Sequence, residues 1–329
     1  MVHYYEKQTV NRGLMKEAIV LLNMGGPNNL REVEMFLTNM FNDPAIIRTK
    51  SSLLRRFIAG IITLARTEKS QEIYRSLGGK SPIVEITSSL VKELQSKVGD
   101  EIVVDFVMRY TPPMAQEVVA RLKNAGITKV YLIPLYPQYS STTTGSSLDD
   151  FEKTANDLQW FPLLVEIKHF FTNDTYNQCL LLLIKEALGE DDSHDFELIF
   201  SAHGLPQKIV DEGDPYQRHV VAHVELLKDK LHQEGIYFRG VHLAYQSKVG
   251  PMKWLEPSLG TMLGAIGRKK AIIVPLAFTI DNSETDFELE VEYREIAHEL
   301  GIVDYRVSRC PNTHPLFVKT LQELYEKMR

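Results

Sequence analysis

The stretch AIVLLNMGGP at residues 18–27 has a counterpart much later in the chain, ELIFSAHGLP at residues 197–206. Each stretch is an apolar run that leads to Met24 or His203 and then enters a turn with glycine and proline. An apolar run of this length that stops at turn residues is typical of a buried parallel strand. The pair therefore predicts two strands at corresponding places in two similar halves.

Two further pairs of segments extend this internal similarity. KVYLIPLYPQYSSTT (129–143) matches KAIIVPLAFTIDNSE (270–284), and VVDFVMRYTPP (103–113) matches RGVHLAYQSKVGP (239–251) more loosely. Strand-like runs alternate with amphipathic helical stretches throughout, which favours an α/β fold with parallel sheets. We expect two similar doubly wound domains that face each other, with a cleft between their strand ends.

The spacing of these pairs predicts an insertion in the first half. The first pair is offset by about 180 residues and the others by about 140, so roughly 40 extra residues separate the first two strands. The insertion falls at about 30–85 and contains the lip segment, SSLLRRFIAGIITLARTEKS at residues 51–70. This segment is either a core-facing helix or an apolar lip over the cleft that also touches an anionic membrane surface. The second interpretation is favoured by its basic residues, Arg55, Arg56, Arg66 and Lys69.

These features suggest domain boundaries. We expect an N-terminal domain at 16–160 that carries the insertion, and a C-terminal domain at 161–310. Residues 311–329 should form a helix that packs back on the first domain. Residues 1–14 are predicted to be a disordered lead, or Met15 is the actual start.

Composition excludes several classes of protein. The 329 residues are 44% hydrophobic and 24% charged, and the net charge of -6 argues against general nucleic-acid binding. The polar N-terminus lacks a secretory h-region, and no apolar run reaches the roughly 18 residues of a membrane span. Cys179 and Cys310 are the only cysteines, so a four-cysteine zinc or iron–sulfur site is excluded and a reducing compartment is indicated.

The glycine-bearing loops do not match nucleotide-binding motifs. NMGGPNN is not GxGxxG, and TTTGSS lacks the GK[ST] of a phosphate loop. The segment YPQYSSTTTGSS (136–147) is either a hydroxyl-rich anion-binding loop or a well-capped turn from strand to helix. The absence of a GxSxG elbow and of HExxH argues against serine and zinc hydrolases.

His203 and a series of glutamates supply the charged chemistry. His203 stands at a strand exit, where a satisfied turn histidine and a site residue are about equally frequent. Glutamates recur every three or four residues on one predicted helical face: Glu284, Glu288, Glu292, Glu295 and Glu299. The last two fit a solvated face, whereas Glu284 lies at strand-exit level and Glu288 would continue a path for cations or protons. A histidine and a glutamate at neighbouring strand ends suit hydrolysis, proton transfer or metal handling.

At these residues the chain resembles the ferrochelatase family. LLNMGGP, GGKSPI, YPQYSSTTTGSS, FSAHGLP, YQSKVGPMKWL and VPLAFTIDNSET match family motifs in order, from Lys16 to the C-terminal helix. The resemblance implies two Rossmann-like domains related by a pseudo-twofold axis, with a porphyrin cleft between them. It also implies insertion of Fe²⁺ into protoporphyrin IX, which gives protohaem and two protons in the last step of haem biosynthesis. Fe²⁺ is then a substrate, and neither a prosthetic group nor an iron–sulfur cluster is expected.

The same resemblance assigns roles to residues. His203 and Glu284 are the catalytic pair and, with Glu288, the metal-handling residues. Porphyrin-binding residues form a longer set: Met24, Phe278 and Trp254 along the pocket, Arg66, Lys69, Tyr74 and Ser81 at the propionates or the mouth, and Arg109 and Tyr110 near the metal side. The simpler alternatives are that Trp254 and Phe278 belong to the core, and that Arg66 and Lys69 are ordinary solvated charges.

Some positions depart from the family pattern. Asn282 stands where many relatives carry histidine, and since an amide does not titrate, a proton relay there is interrupted or rerouted through Asp281. Gly204 replaces a common serine, and Met24 resembles the protoporphyrin-using branch rather than the coproporphyrin-using one. We expect a monomeric cytoplasmic enzyme, peripheral at the inner face of the membrane. The alternatives are a chelatase for coproporphyrin or another tetrapyrrole, or a non-catalytic tetrapyrrole carrier.

Overall fold

The paired sequence segments form the strands of two parallel sheets in a computed structural model, which describes residues 16–248, 250 and 252–329. The predicted lead at 1–14 and the alternative start Met15 lie outside the described residues. The first sheet has the order β2-β1-β3-β4, with strands Glu17–Asn23, Ile102–Met108, Lys129–Pro134 and Leu163–Glu166 for β1 to β4. The second has the order β6-β5-β7-β8, with strands Phe196–His203, Gly240–Gln246, Lys270–Pro275 and Asp304–Val307 for β5 to β8. The prediction of an α/β fold with two similar parallel sheets is confirmed.

The strand registers place Met24 and His203 at corresponding positions. Leu22 pairs with Pro134 across β1 and β3, and Ser201 pairs with Pro275 across β5 and β7. Since Met24 and His203 each lie two residues beyond these partners, the two halves superpose in the register that the sequence similarity predicts.

Helices flank both sheets. The first half contains α1 to α5: Val33–Asn42, Ser52–Ser76, Ile83–Val98, Ala115–Asn124 and Ser146–Asp157. The rest contains α6 to α11: Asp174–Leu188, Gln207–Asp211, Tyr216–Gln233, Leu259–Ile266, Tyr293–Glu299 and Pro315–Met328. Short 3₁₀ turns lie at Leu30–Glu32 and Ser193–Asp195, and π-helical segments at Ser141–Gly145 and Glu284–Glu292 precede α5 and α10. None of the helices in the described part of the chain combines the length and the hydropathy of a membrane-spanning segment.

The predicted insertion is the pair α1 and α2, which pack against each other. They occupy the connection between β1 and β2, where the second half has only α7 before the corresponding helix α8. The C-terminal helix α11 packs against α3 and β3 of the first half and against α6. One apolar core continues between the two sheets, from Tyr131 and Ile133 on β3 to Phe200 on β5 and Phe317 on α11. The domain boundaries proposed above stay predictions.

Reciprocal hydrogen bonds join the segments that follow β3 and β7. The Gln138 side chain donates to the carbonyl oxygen of Leu276 at 3.2 Å, and the Thr279 hydroxyl donates to the carbonyl oxygen of Leu135 at 2.8 Å. Because Pro134 and Pro275 are matched, Leu135 corresponds to Leu276 and Gln138 to Thr279. The two bonds are therefore related by the pseudo-twofold axis, and they bring the carboxyl ends of the two sheets face to face.

Candidate active site

His203 and Glu284 form a hydrogen-bonded pair at the carboxyl edge of the second sheet. His203 is the last residue of β5, and its Nδ1 lies 2.7 Å from Oε2 of Glu284, the first residue of the π-helical segment. The Tyr216 hydroxyl donates to the His203 carbonyl oxygen at 2.9 Å, which fixes the strand end. The structure thus brings together the two residues that the family resemblance predicts as the catalytic pair.

Asn282 holds the start of the segment that carries Glu284. Its Oδ1 accepts a hydrogen bond from the Glu284 backbone N–H at 2.8 Å, and its Nδ2 donates to the Ile280 carbonyl at 2.9 Å. Asp281 accepts instead from the Cys310 backbone N–H at 3.1 Å and from the Asn312 side chain at 2.5 Å. The contacts of Asp281 therefore lie on the side of Cys310 and Asn312, and Asn282 acts as a cap for the Glu284 segment.

The helical face predicted for the glutamates needs a correction. Residues Glu284–Glu292 are π-helical rather than α-helical, a form that occurs mostly as single turns and frequently at functional sites. Glu295 and Glu299 lie on α10 and are exposed, as the solvated-face interpretation expects. Glu284 and Glu288 are only partly exposed and share hydrogen-bond partners, which separates them from the rest of the series.

Glu288 is held by uncharged donors from the end of β6. The Ser247 backbone N–H donates to Glu288 Oε1 at 2.8 Å, and the Ser247 hydroxyl donates to Oε2 at 2.5 Å. The same hydroxyl lies 3.4 Å from Glu284 Oε2, and Gln246 Nε2 lies 3.3 Å from Glu288 Oε2. The Ser247 hydroxyl thus contacts both carboxylates, which lie four residues apart along the π-helical segment.

Burial and charge act in opposite directions on this cluster. Burial lowers the pKa of His203, but the charge of Glu284, the hydrogen bond to it and the charge of Glu288 together raise it above 6.5. Burial raises the pKa of Glu284, yet the charge and hydrogen bond of His203 bring it below its ordinary value. Burial and the charge of Glu284 raise the pKa of Glu288. The Glu288 carboxylate therefore binds a proton more readily than the Glu284 carboxylate. The His203 imidazole binds a proton more readily than a free histidine does.

Apolar side chains lie at the His203 ring, at the turn that follows it and at the corresponding strand end of the first half. The Phe278 ring meets the His203 ring edge-on, with centroids 6.2 Å apart. Trp254 is buried beside the turn that follows His203, and Met24 is partly buried against the core. A Cβ on Gly204 would lie 2.6 Å from the Gln246 carbonyl oxygen and 3.2 Å from the Trp254 ring, which explains why glycine occupies that position.

Arg109 and Tyr110 lie in a buried polar cluster of the first half. Arg109 pairs with Asp43 at 3.0 Å and with Asp150 at 3.3 Å, and its Nε donates to the Ser146 hydroxyl at 2.9 Å. The Tyr110 hydroxyl donates to Asp43 Oδ2 at 2.8 Å. Both side chains are therefore engaged within the protein, with Asp43 as their shared partner.

The residues expected at the mouth divide into two groups. Arg66 and Lys69 are exposed on α2, whereas Tyr74 and Ser81 are buried. The Tyr74 hydroxyl lies 3.2 Å from the hydroxyl of Ser283, the residue before Glu284. The end of the lip helix α2 is thus joined to the segment that carries the candidate catalytic carboxylate.

The lip segment is an exposed apolar surface, so a core-facing helix is the wrong interpretation. Five large apolar side chains of α2 are exposed: Leu53 74%, Leu54 50%, Phe57 67%, Ile61 55% and Leu64 85%. Its buried positions are the smaller Ala59 and Thr63 with Tyr74. The apolar stripe therefore faces outward.

The hydroxyl-rich loop makes an internal contact between the halves. Asp214, which precedes α8, accepts from the Ser141 backbone N–H at 2.8 Å, from the Ser141 hydroxyl at 2.5 Å and from the Ser140 hydroxyl at 3.1 Å. Arg48 bridges Ser141 and Glu212, each at 2.7 Å. A carboxylate of the second half thus occupies these hydroxyls, and Ser140 also accepts from the Thr142 backbone N–H at 3.2 Å, as the capped-turn interpretation expects.

Sequence reasoning missed several residues of the site. Ser247 and Gln246 hydrogen-bond the Glu288 carboxylate, Ser283 contacts Tyr74, and Asp43 pairs with Arg109. The signal that could have found Gln246 and Ser247 is their position at a strand exit in the same sheet as His203, because ligands gather at the carboxyl ends of parallel strands. Asp43 gave no comparable signal.

The fold is shared by solved structures of other proteins. The sirohydrochlorin chelatase SirB of Bacillus subtilis subspecies spizizenii in complex with cobalt superposes with a TM-score of 0.58 and 11% identity, and the match covers 95% of each chain. At this identity the likeness concerns the fold alone, which is that of a two-domain chelatase.

Sequence comparison then gives the family. A family model described as Ferrochelatase matches residues 16–329. The ferrochelatase of Sulfurimonas denitrificans is 60% identical over 96% of this chain and 100% of its own length, and that of a Nitratiruptor species is 48% identical over 95% and 100%. The chain belongs to the ferrochelatase family. The alternatives of a chelatase for another tetrapyrrole and of a tetrapyrrole carrier are not favoured.

Proposed function

We propose that the protein inserts Fe²⁺ into protoporphyrin IX and releases protohaem and two protons, with His203 and Glu284 as the central residues. The observation that carries the proposal is the 2.7 Å contact between His203 Nδ1 and Glu284 Oε2 at the carboxyl edge of the second sheet. Family membership supports the reaction, since porphyrin and iron are the substrates of a ferrochelatase.

The chemistry of insertion makes two demands on this pair. Two pyrrole protons must leave the macrocycle, and the hydrated cation must lose its waters. When Nδ1–H donates to Glu284, the Nε2 of a neutral His203 is unprotonated and serves as a proton acceptor or as a nitrogen ligand for iron. Glu288 lies four residues after Glu284, shares the Ser247 hydroxyl with it, and receives the proton or delivers the cation.

The macrocycle is expected to lie between the two halves. Met24 and Phe278 come from corresponding edges of the two sheets and supply apolar contact, with Trp254 supporting the His203 turn. Tyr74, Ser81, Arg66 and Lys69 stay candidates for the propionates. The pairing of Arg109 with Asp43 and Asp150 favours a role in which Arg109 shapes the opposite wall.

Anaerobic assay of the purified protein with only protoporphyrin IX and Fe²⁺ tests this function, with Zn²⁺ as an oxygen-tolerant substitute. We expect multiple turnovers without an added cofactor. The turnovers are monitored by the rise of metalloporphyrin absorbance and the loss of porphyrin fluorescence. His203→Ala should lower the rate at least about 100-fold while porphyrin still binds. His194→Ala is the matched control, since His194 is exposed and pairs with Asp192. Undiminished turnover in His203→Ala would refute the assignment.

We also propose that α2 binds peripherally to the inner face of the cytoplasmic membrane and that the protein is a monomer. An apolar stripe with Leu53, Phe57 and Leu64 exposed, accompanied by Arg56 and Lys69, suits an anionic lipid surface. A substrate as apolar as protoporphyrin would then reach the mouth directly from the lipid.

Flotation with vesicles of anionic or zwitterionic phospholipid tests the membrane contact. Phe57→Ser combined with Leu64→Ser should abolish binding to anionic vesicles, whereas Phe161→Ser, which removes a side chain 77% exposed outside the lip, should not. Binding should also weaken with salt, because exposed charges are screened. The alternative is that the exposed face of α2 joins two copies of the chain. Sedimentation without lipid measures the oligomeric state, and only a dimer through α2 would dissociate in the double variant.

A further inference from the structure

Ser247 has a backbone conformation that is uncommon for its residue type. Its φ is +65°, in the left-handed region, where a residue other than glycine carries backbone strain. This conformation directs both of its donors to one carboxylate: the backbone N–H contacts Glu288 Oε1 at 2.8 Å, and the hydroxyl contacts Oε2 at 2.5 Å. Ser247 is thus a strained residue at a strand end, and both of its donors bind an acidic side chain. This combination points to a functional constraint.

The other half of the molecule provides an internal comparison. The strand registers match Arg109 and Tyr110, which follow β2, to Gln246 and Ser247 at the end of β6. In the first half, the guanidinium of Arg109 neutralises Asp43 at 3.0 Å. In the second half, Gln246 and Ser247 hold Glu288 through uncharged N–H and O–H groups. These donors orient the carboxylate and leave its negative charge available to a cation.

We propose that Ser247 is a positioning residue for metal delivery: it fixes the Glu288 carboxylate and, through the 3.4 Å contact of its hydroxyl with Glu284 Oε2, the relation between the two carboxylates. The inference rests on the proposed function, because it concerns the approach of the metal substrate. Loss of the hydroxyl frees Glu288 to adopt other rotamers and leaves the His203–Glu284 contact in place. Loss of the hydroxyl should therefore lower the kcat/KM for the metal and leave the affinity for the porphyrin unchanged.

Ser247→Gly is the sharpest test, because glycine adopts positive φ freely and retains the backbone N–H to Glu288. We expect the kcat/KM for Fe²⁺ or Zn²⁺ to fall about 10- to 100-fold, the range for loss of a group that orients a metal ligand, chiefly through a higher KM for the metal. The Kd for protoporphyrin IX, measured by fluorescence, should stay unchanged. Ser247→Asn should recover part of the loss, since asparagine tolerates positive φ and keeps a side-chain donor.

Gln159→Gly is the matched control, because Gln159 is exposed and has φ +51°. It tests the effect of glycine at a left-handed position away from the site and should leave both kinetic constants unchanged. Kinetics of Ser247→Gly equal to wild type would overturn the inference, and so would a loss confined to porphyrin binding. Failure of the proposed function is distinct, since the wild-type protein would then insert no metal at all.

Discussion

The imidazole of His203 and the carboxylate of Glu284 meet at 2.7 Å although the two residues lie on different elements, the end of β5 and the start of the π-helical segment after β7. The contact opposes the effect of burial, which alone would lower the pKa of the histidine. Together with Glu288, Glu284 therefore determines how strongly the imidazole binds a proton, and through it the fraction of neutral ring that can accept one from a pyrrole.

Glu284→Gln should lower the pKa of His203 below its wild-type value. The substitution removes the charge and keeps an oxygen that accepts from Nδ1–H, so the lowering effect of burial is no longer opposed by this neighbour. Titration of the histidine Cε1–H signals by NMR measures the change, and His203→Ala identifies the signal. An unchanged or higher pKa would show that Glu284 is not the electrostatic partner of the ring.

Asn282→Ala should lower both stability and turnover. Without the amide, the Glu284 N–H and the Ile280 carbonyl lose their partners, and loss of such a cap costs about 1 kcal/mol. Asn282→His should change the activity modestly, because the proposed path from Glu284 to Glu288 does not pass through this side chain. Steady-state kinetics and urea unfolding measure both effects. A large gain in the histidine variant would mean that the chain lacks a relay that its relatives use.

Asn173→Ala provides the control for the cap. Asn173 accepts from the Tyr176 N–H at 2.8 Å at the start of α6, so its loss should cost similar stability. Its activity should match that of wild type. Equal losses of activity in the two variants would assign the Asn282 effect to general destabilisation.

The internal repeat made most of the fold predictable. Apolar strands that end at turn residues can be recognised locally, and three matched pairs located six of the eight strands and the insertion that became α1 and α2. His203 and Glu284 were accessible because a strand exit is itself a local signal. The ion pair between Arg109 and Asp43 could not be predicted from the sequence. It joins residues 66 positions apart, which meet only because the insertion packs on the sheet. Nor did the glutamate spacing distinguish a π-helical segment from an α-helix.

The hydrogen bond between Tyr74 and Ser283 should couple the lip helix to the Glu284 segment. Tyr74→Phe and Ser283→Ala each remove one of the two hydroxyls, and the double variant closes a thermodynamic cycle. We expect a coupling free energy of unfolding of about 0.5–1.5 kcal/mol, the range for one hydrogen bond. Tyr237→Phe, at an exposed tyrosine, is the control. Additive single effects, in both stability and kcat, would show that the 3.2 Å contact carries no coupling.

His223 should make the stability of the protein sensitive to mild acid. Its Nδ1 accepts from Gln138 at 2.8 Å and its Nε2–H donates to Asn177 at 2.8 Å, so the buried ring is fully bonded while neutral. Burial lowers its pKa from 6.5 to about 3. Below pH 6.5 the His223 ring is protonated in the unfolded chain but stays neutral in the folded protein. The contribution of His223 to stability is therefore present above pH 6.5 and is lost progressively down to about pH 3.

The expected loss from His223 is about 2 kcal/mol between pH 7 and pH 5. His223→Gln keeps an acceptor and a donor without a titratable group, and its free energy of unfolding should fall less over this interval, as measured by urea titration at the two pH values. Because Gln138 also bonds the Leu276 carbonyl of the other half, protonation of His223 should loosen the contact between the sheets. Equal pH dependence in wild type and variant would show that the ring takes up its proton without cost in the folded state.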